Sequence, residues 1–196
     1  MLLKGVNIGY AVTGSFCTFA KTIPQIEKLV NEGANVIPII SESVSNYDTR
    51  FNKADEFKNT LQTITGKQPI SSIVDAEPIG PKALLDILVI APCTGNTISK
   101  IANAITDTSV TMACKAHLRN MRPVVIAVST NDGLGANARN IGILLNMKNI
   151  YMVPFGQDDP IKKCTSLVAD FDQILPTILN AQQHCQIQPM ILANKP

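Results

Sequence analysis

Runs of β-branched and aliphatic residues recur along the chain, and most are followed by a stretch whose apolar positions fall three and four apart. The longest, Asp86-Ile87-Leu88-Val89-Ile90-Ala91-Pro92, lacks polar alternation and reads as a strand buried on both faces of a parallel sheet, ended by Pro92. Cys93 to Asn96 then form a tight loop, and Thr97 to Ile105 place apolar side chains at helical spacing. The same pairing opens the chain. Val6 to Val12 is a strand ended by Thr13-Gly14-Ser15, and a helix runs from near Phe16 to about Glu32 with Ile23, Ile26, Leu29 and Val30 on its buried stripe. Pro24 marks either a kink or the true start of that helix. Gly33 is placed to cap it, and Asn35 to Ile40 is the second strand.

Ser41 to Asn46 reads as a polar loop, Phe57 to Ile64 as a short helix closed by Gly66, and the Pro- and Gly-rich segment from Lys67 to Lys82 as largely irregular. Further on, the pattern predicts a helix over Val110 to Asn120, a strand over Pro123 to Val128 with the exit loop Ser129 to Gly133, and a helix over Ala136 to Met147. Then follow a strand over Ile150 to Pro154, a loop over Phe155 to Lys163 and a final helix over roughly Leu167 to Gln182. From about Gln186 to Pro196 the apolar residues between two prolines read as a mobile tail or an arm on another subunit. The alternation predicts one α/β domain over residues 1–196: a doubly wound, mostly parallel flavodoxin/Rossmann-like sheet with helices on both faces. Its strand-end loops gather on one carboxyl edge, where such sheets bind ligands.

Composition agrees. Hydrophobic residues make up 45% of the 196 and charged residues 16%, which suits a well-buried core. A net charge of +2 without a Lys/Arg cluster gives no footing for nucleic acid. Cys17, Cys93, Cys114, Cys164 and Cys185 are scattered without C-x-x-C spacing, so neither a metal site nor a disulfide framework is indicated. Lys4, Gly5 and Asn7 interrupt what a signal-peptide core needs, and no apolar run approaches a membrane span, so a cytoplasmic protein is expected.

The candidate chemistry lies in the strand-end loops. Thr13-Gly14-Ser15, between a strand and a helix, can hold a phosphate with backbone N–H groups and hydroxyls, although these three residues alone favour a tight turn with a helix cap. The G-x-G-x-x-G fingerprint and an acidic residue ending the second strand are both missing, which favours a mononucleotide over a dinucleotide. Ser41 and Ser43, on the adjacent strand end, can grip the same anion. Asn96 and Thr97 open the central helix, as binder of a flat heterocycle or as cap. Cys93 and Cys17 have no histidine near them in sequence and read as inert thiols, and His117 and His184 fall on helices away from the strand ends. Asn131 and Asp132 reach the same edge. Among the cations, Arg50 and Arg139 sit beside site loops and carry more weight for a carboxylate than Arg119, Arg122, Lys162 or Lys163.

Pro92-Cys93-Thr94-Gly95-Asn96-Thr97 and the helix after it resemble the P-A-S-A-N-T motif of the flavin-dependent cysteine decarboxylase and flavin prenyltransferase superfamily. Thr13-Gly14-Ser15 matches its first phosphate loop, Ser41-Glu42-Ser43 resembles its T-E-S loop, and Ser129-Thr130-Asn131 lies where it often has A-M-N. Within that superfamily, Asp48-Thr49-Arg50-Phe51, Ala76-Glu77-Pro78-Ile79-Gly80-Pro81-Lys82 and Pro154-Phe155-Gly156-Gln157-Asp158-Asp159-Pro160 resemble the family of dipicolinate synthase B subunits. The resemblance implies FMN held by Thr13, Gly14, Ser15, Ser41, Ser43 and Pro92 to Thr97 (Pro92, Cys93, Thr94, Gly95, Asn96 and Thr97), and a small dicarboxylate held by Arg50, Asn96, Asn131 and Arg139. It also implies a partner, the A subunit of a dipicolinate synthase, which carries NAD(P). A homo-oligomer (trimer or dodecamer) is implied as well, and oxidation of dihydrodipicolinate to dipicolinate in the mother cell of a sporulating bacterium. Two departures stand out. No histidine occurs between Ser41 and Asp86, where decarboxylases of the superfamily carry a catalytic one, and Ser129-Thr130-Asn131 stands where prenyltransferases place an arginine. No catalytic residue is assigned on this basis. The alternatives are a stand-alone FMN-dependent decarboxylase and a non-catalytic binding or scaffold subunit.

Overall fold

The computed structural model describes residues 1–193. The strands are β1 (Asn7–Val12), β2 (Asn35–Ile40), β3 (Ile87–Cys93), β4 (Val124–Thr130), β5 (Ile150–Met152), β6 (Phe155–Asp159) and β7 (Lys163–Ala169). The helices are α1 (Phe19–Asn31), α2 (Glu42–Asn46), α3 (Ala54–Thr65), α4 (Ile73–Ala76), α5 (Gly95–Ala102), α6 (Ser109–Leu118), α7 (Ala138–Leu145) and α8 (Ile174–Gln182). Five strands pair in parallel in the order β2-β1-β3-β4-β5, the flavodoxin-like order, and β3 and β4 are buried along almost their whole length. Removing each of these Ile, Val and Leu side chains from water contributes about 1.5–3 kcal/mol. Helices α1 and α8 pack on one face of the sheet and α5, α6 and α7 on the other, so the doubly wound architecture expected from the pattern is present. Among the described residues no helix is long and apolar enough to cross a membrane.

Local chemistry accounts for the boundaries. Helix α1 buries Phe19, Thr22, Ile26 and Leu29 on one stripe, and Gly33 follows it at φ +86°, a conformation that excludes most side chains. Pro24 lies inside α1, five residues beyond its first, and is not its start. Helix α3 begins three residues earlier than the apolar spacing suggests, and Gly66 stops it in the left-handed region. Pro92 does not end the central strand. It lies within β3, where the register with β4 is irregular between Ile90 and Cys93, a bulge that tolerates the missing N–H.

Three expectations are corrected. Ser41 to Asn46 is not a loop throughout: Glu42–Asn46 turn helically because Val44 is pulled into the core and the Ser45 N–H finds the Ser41 carbonyl. The segment from Lys67 to Lys82 contains α4 and a 3-10 turn at Glu77–Ile79, anchored by buried Ala76 and Ile79. Phe155 to Lys163 is not a loop, and the last helix does not begin at Leu167. β6 and β7 form an antiparallel hairpin, and β7 hydrogen-bonds to the end of β4 through Ser129–Val168 and Thr130–Leu167. β5 is too short to cover the carboxyl end of β4, so the hairpin completes that edge. The tail expected from about residue 186 extends beyond the described residues at 194–196. Up to Ala193 it lies on its own chain: the Gln186 side chain binds both the N–H and the carbonyl of Met152, and Met190 and Leu192 bond the Phe155 backbone.

On α6, the buried His117 bonds the Pro123 carbonyl through Nε2 at 3.0 Å and leaves Nδ1 without a partner. A carbonyl only accepts, so the proton sits on Nε2 and the ring is neutral. Burial pushes its pKa down to about 4 from 6.5, outweighing the upward pull of the Pro123 carbonyl. The folded protein therefore binds this proton less readily than the unfolded chain does. The corresponding stability is complete above about pH 6.5 and is lost as the pH falls toward 4, on the order of 3 kcal/mol in all. Urea unfolding between pH 7 and pH 4 measures this loss, and His117→Gln is expected to flatten it.

Candidate functional site

The strand order changes direction between β1 and β3, so the loops leaving their carboxyl ends part there and open a crevice. Thr13 stitches the two loops together. Its Oγ1 donates to the Pro92 carbonyl at 2.8 Å and accepts from the Thr94 N–H at 3.0 Å. Thr13 is consequently buried, and its role is to set the position of Gly14 and Ser15 against Thr94. One layer further across the sheet, the hydroxyls of Ser15 and Ser129 meet at 2.9 Å, tying the β1 loop to the end of β4.

The crevice has a volume of about 600 Å³, within the range of small-ligand sites. It is lined by Gly14, Ser15, Thr94, Gly95 and Asn96, by Ser129 to Asp132, and, beside the end of β4, by Ser166, Leu167 and Val168 of the hairpin. Phe16 and Phe51 supply aromatic surface at the wall, and Lys21, Lys163 and Asp158 supply charge. Lys163 and Asp158 are paired at 2.6 Å, which holds the ammonium above its ordinary pKa.

Several properties suit a phosphate on a flat aromatic group. Among the described residues, the N–H groups of Gly14, Phe16 and Cys17 have no backbone acceptor, although the first turn toward α1 begins there. Gly14 approaches so closely that a Cβ would lie 2.8 Å from Ser43 Oγ. Ser43 Oγ is in turn 3.0 Å from Ser41 Oγ, so unpaired N–H groups, neutral hydroxyls and a bare backbone meet at one corner. Donors of this kind, without a fixed cation, fit a phosphomonoester.

The structure brings Gly14, Ser15, Thr94, Gly95, Asn96 and Asn131 together on the crevice wall. Thr13, Pro92, Cys93 and Thr97 lie beneath it, and Ser41 and Ser43 stand behind Gly14. Burial, reinforced by the neighbouring Cys114 thiol, pushes the Cys93 thiol far above its usual pKa and keeps it protonated. Cys17 is exposed on the wall. Arg50 and Arg139 are not on it: Arg50 is exposed with its guanidinium 4.8 Å from the centre of the Phe51 ring, and Arg139 is exposed on α7. The cations on the wall are Lys21 and Lys163. Sequence reasoning missed Lys21, Phe51, Asp158 and the Ser166–Val168 wall. For the last two the signal was present, since Asp159-Pro160 is a turn dipeptide between two short runs of strand length.

The sequence profile of the Flavoprotein family matches residues 2–182. The chain belongs to that family. The dipicolinate synthase B subunit of Bacillus subtilis (strain 168) is 52% identical over 192 residues, 98% of this chain and 96% of that protein. The crystal structure of the dipicolinate synthase B subunit from Bacillus halodurans C superposes with a TM-score of 0.91 at 46% identity, each chain covered in full. The FMN-dependent cysteine decarboxylase SpaF shares the fold at a TM-score of 0.62 and 22% identity, over 91% of this flavoprotein and 98% of that chain.

Proposed function

We propose that this flavoprotein is the B subunit of a dipicolinate synthase, which binds an FMN-type flavin and acts with a nicotinamide-carrying A subunit in oxidising dihydrodipicolinate to dipicolinate. The observation that carries the reading is the identity of 52%, along essentially the whole of both chains, to a dipicolinate synthase B subunit. The crevice supports it. Gly14 and Ser15, backed by Ser41 and Ser43, hold the flavin phosphate. Thr94, Gly95 and Asn96 would hold the ring, and Lys21, Lys163 and Asn131 would supply donors to the substrate's carboxylates. A bound flavin supplies a two-electron acceptor. The chain's own residues orient the ligands, with Phe16, Phe51, Leu167 and Val168 as the apolar part of the wall. A superfamily decarboxylase is disfavoured because, among the described residues, no histidine lines the crevice. The same reading carries a homo-oligomer in the cytoplasm of the mother cell.

Mixing the two purified proteins tests it. With the A subunit, NAD(P) and dihydrodipicolinate, addition of this chain is expected to raise dipicolinate formation at least about tenfold, in the range that positioning of reactants supplies. After incubation with FMN and desalting, the chain is expected to keep a visible flavin band. An unchanged rate removes the reading, and a colourless protein removes its flavin part.

A further inference from the structure

Asp132 is a carboxylate held in the crevice by neutral donors alone. Thr130 Oγ1 donates to its Oδ1 at 2.5 Å, and Asn137 Nδ2 donates to its Oδ2 at 2.8 Å. The direction of the second bond is fixed from behind. Asn137 Oδ1 accepts from Asn140 Nδ2 at 2.9 Å, and Asn140 Oδ1 accepts from Asn103 Nδ2 at 3.3 Å, so the Asn137 amide has only its NH₂ to offer Asp132. Asn137 and Asn140 are buried, which holds this ladder in one orientation. The ladder therefore presents a donor to Asp132 Oδ2 and fixes that oxygen as an acceptor.

Two further features single it out. Among the described residues Asp132 has no cation within ion-pair distance, whereas Asp158, the other carboxylate on the wall, is paired with Lys163. The space for Asp132 is made by Gly95, where a Cβ would lie 2.8 Å from Oδ1, 2.6 Å from Asn137 Nδ2 and closer still to Thr130 Oγ1. Thus a glycine, a hydroxyl and a three-asparagine ladder maintain one unneutralised carboxylate at the wall of a crevice that has no histidine among its described residues.

We propose that Asp132 is the catalytic base of the site, a role that rests on the dipicolinate synthase reading. Aromatisation of dihydrodipicolinate breaks one C–H bond at each of the ring's two saturated carbons. A hydride leaves one carbon for a flavin or nicotinamide oxidant, and a proton leaves its neighbour for an Asp132 carboxylate oxygen. The electron pair released by that second C–H bond completes the aromatic ring. The oxidant is reduced by two electrons, Asp132 becomes a carboxylic acid, and solvent at the open mouth takes the proton away.

In the two-protein assay, Asp132→Asn is expected to lower kcat by about 100-fold or more, the scale of general-base catalysis, while KM stays within about threefold. FMN affinity, followed by flavin fluorescence, and the thermal midpoint are expected to stay near those of the unaltered chain. In Asp132→Ala, added formate is expected to restore the rate at least about tenfold by supplying the missing carboxylate, a response a purely structural residue does not give. An Asp132→Asn mixture that keeps more than about a third of the rate overturns the assignment. So does a loss in which KM and flavin affinity collapse together, or a folded Asp132→Ala that ignores formate. If the unaltered chain does not stimulate the A subunit, the functional reading fails first and takes the base with it.

Discussion

Gly14→Asp is expected to abolish flavin retention. The backbone at Gly14 is not in the left-handed region, so the substitution acts through space and charge. Its Cβ falls 2.8 Å from Ser43 Oγ, in a corner where Ser43 is already 3.0 Å from Ser41. Its carboxylate stands beside the unpaired N–H groups of Gly14, Phe16 and Cys17, satisfies them internally, and repels a phosphate carrying about −1.5 to −2 charges. Like charges brought together in a binding site cost several kcal/mol, so FMN affinity is expected to fall at least about 100-fold. Gly14→Ala separates the two causes, because only the steric part remains and Ser43 carries a short side chain that can rotate. A fall of about tenfold is expected there, on the order of 1.4 kcal/mol. Fluorescence titration with FMN and the absorbance left after desalting measure both. Gly14→Asp protein that keeps its flavin band would show that the phosphate lies elsewhere.

Gly95→Val is expected to damage stability and activity together. The new side chain opens α5 against Thr130, Asn137 and Asp132, none of which can withdraw without giving up its hydrogen bonds. Overpacking of this kind costs about 1–3 kcal/mol, and the loss of a hydrogen bond to a charged group adds about 1.5–3 kcal/mol. For a domain of this size each kcal/mol moves the thermal midpoint by about 2–4 °C, so a fall on the order of 10 °C is expected. Activity in the two-protein assay is expected to fall with it, since the Asp132 carboxylate is displaced. Gly142→Ala is the matching control: nothing lies within 4 Å of a Cβ there, and on helix α7 the change is expected to stabilise by about 0.5–1 kcal/mol. Thermal melts of the three proteins decide it, and a Gly95→Val protein as stable as the unaltered chain would refute the packing account.

Much of this protein is determined by local pattern. Continuous apolar runs such as Ile87 to Ala91 and Val124 to Val128 can satisfy themselves only between two layers, so strand identity, the parallel sheet and the two helical faces follow from the sequence by itself. The loops after β1 and β3 were legible for the same reason, because each is the short polar interval between a buried strand and a helix. The hairpin's turn was signalled by Asp159-Pro160, but its place in the sheet was not legible. The segment from Phe155 to Ala169 is polar on its outer side, and its pairing depends on an unoccupied edge of β4 nearly forty residues before its own partner residues, which no short window of the sequence contains. Its residues therefore entered the crevice wall unannounced, while Arg50 and Arg139, close to site loops in sequence, lie outside it.

The Asp132 cluster was decided by tertiary structure alone. Gly95 and Asp132 were each legible as residues of an edge loop, but that the two meet was not, because it depends on β3 and β4 being neighbours whose exit loops emerge side by side. The period of burial along the chain settles which loops stand at the sheet edge. Which side chains face one another across that edge depends on strand order, register and the room that a missing Cβ leaves, and these exist only once the sheet has closed.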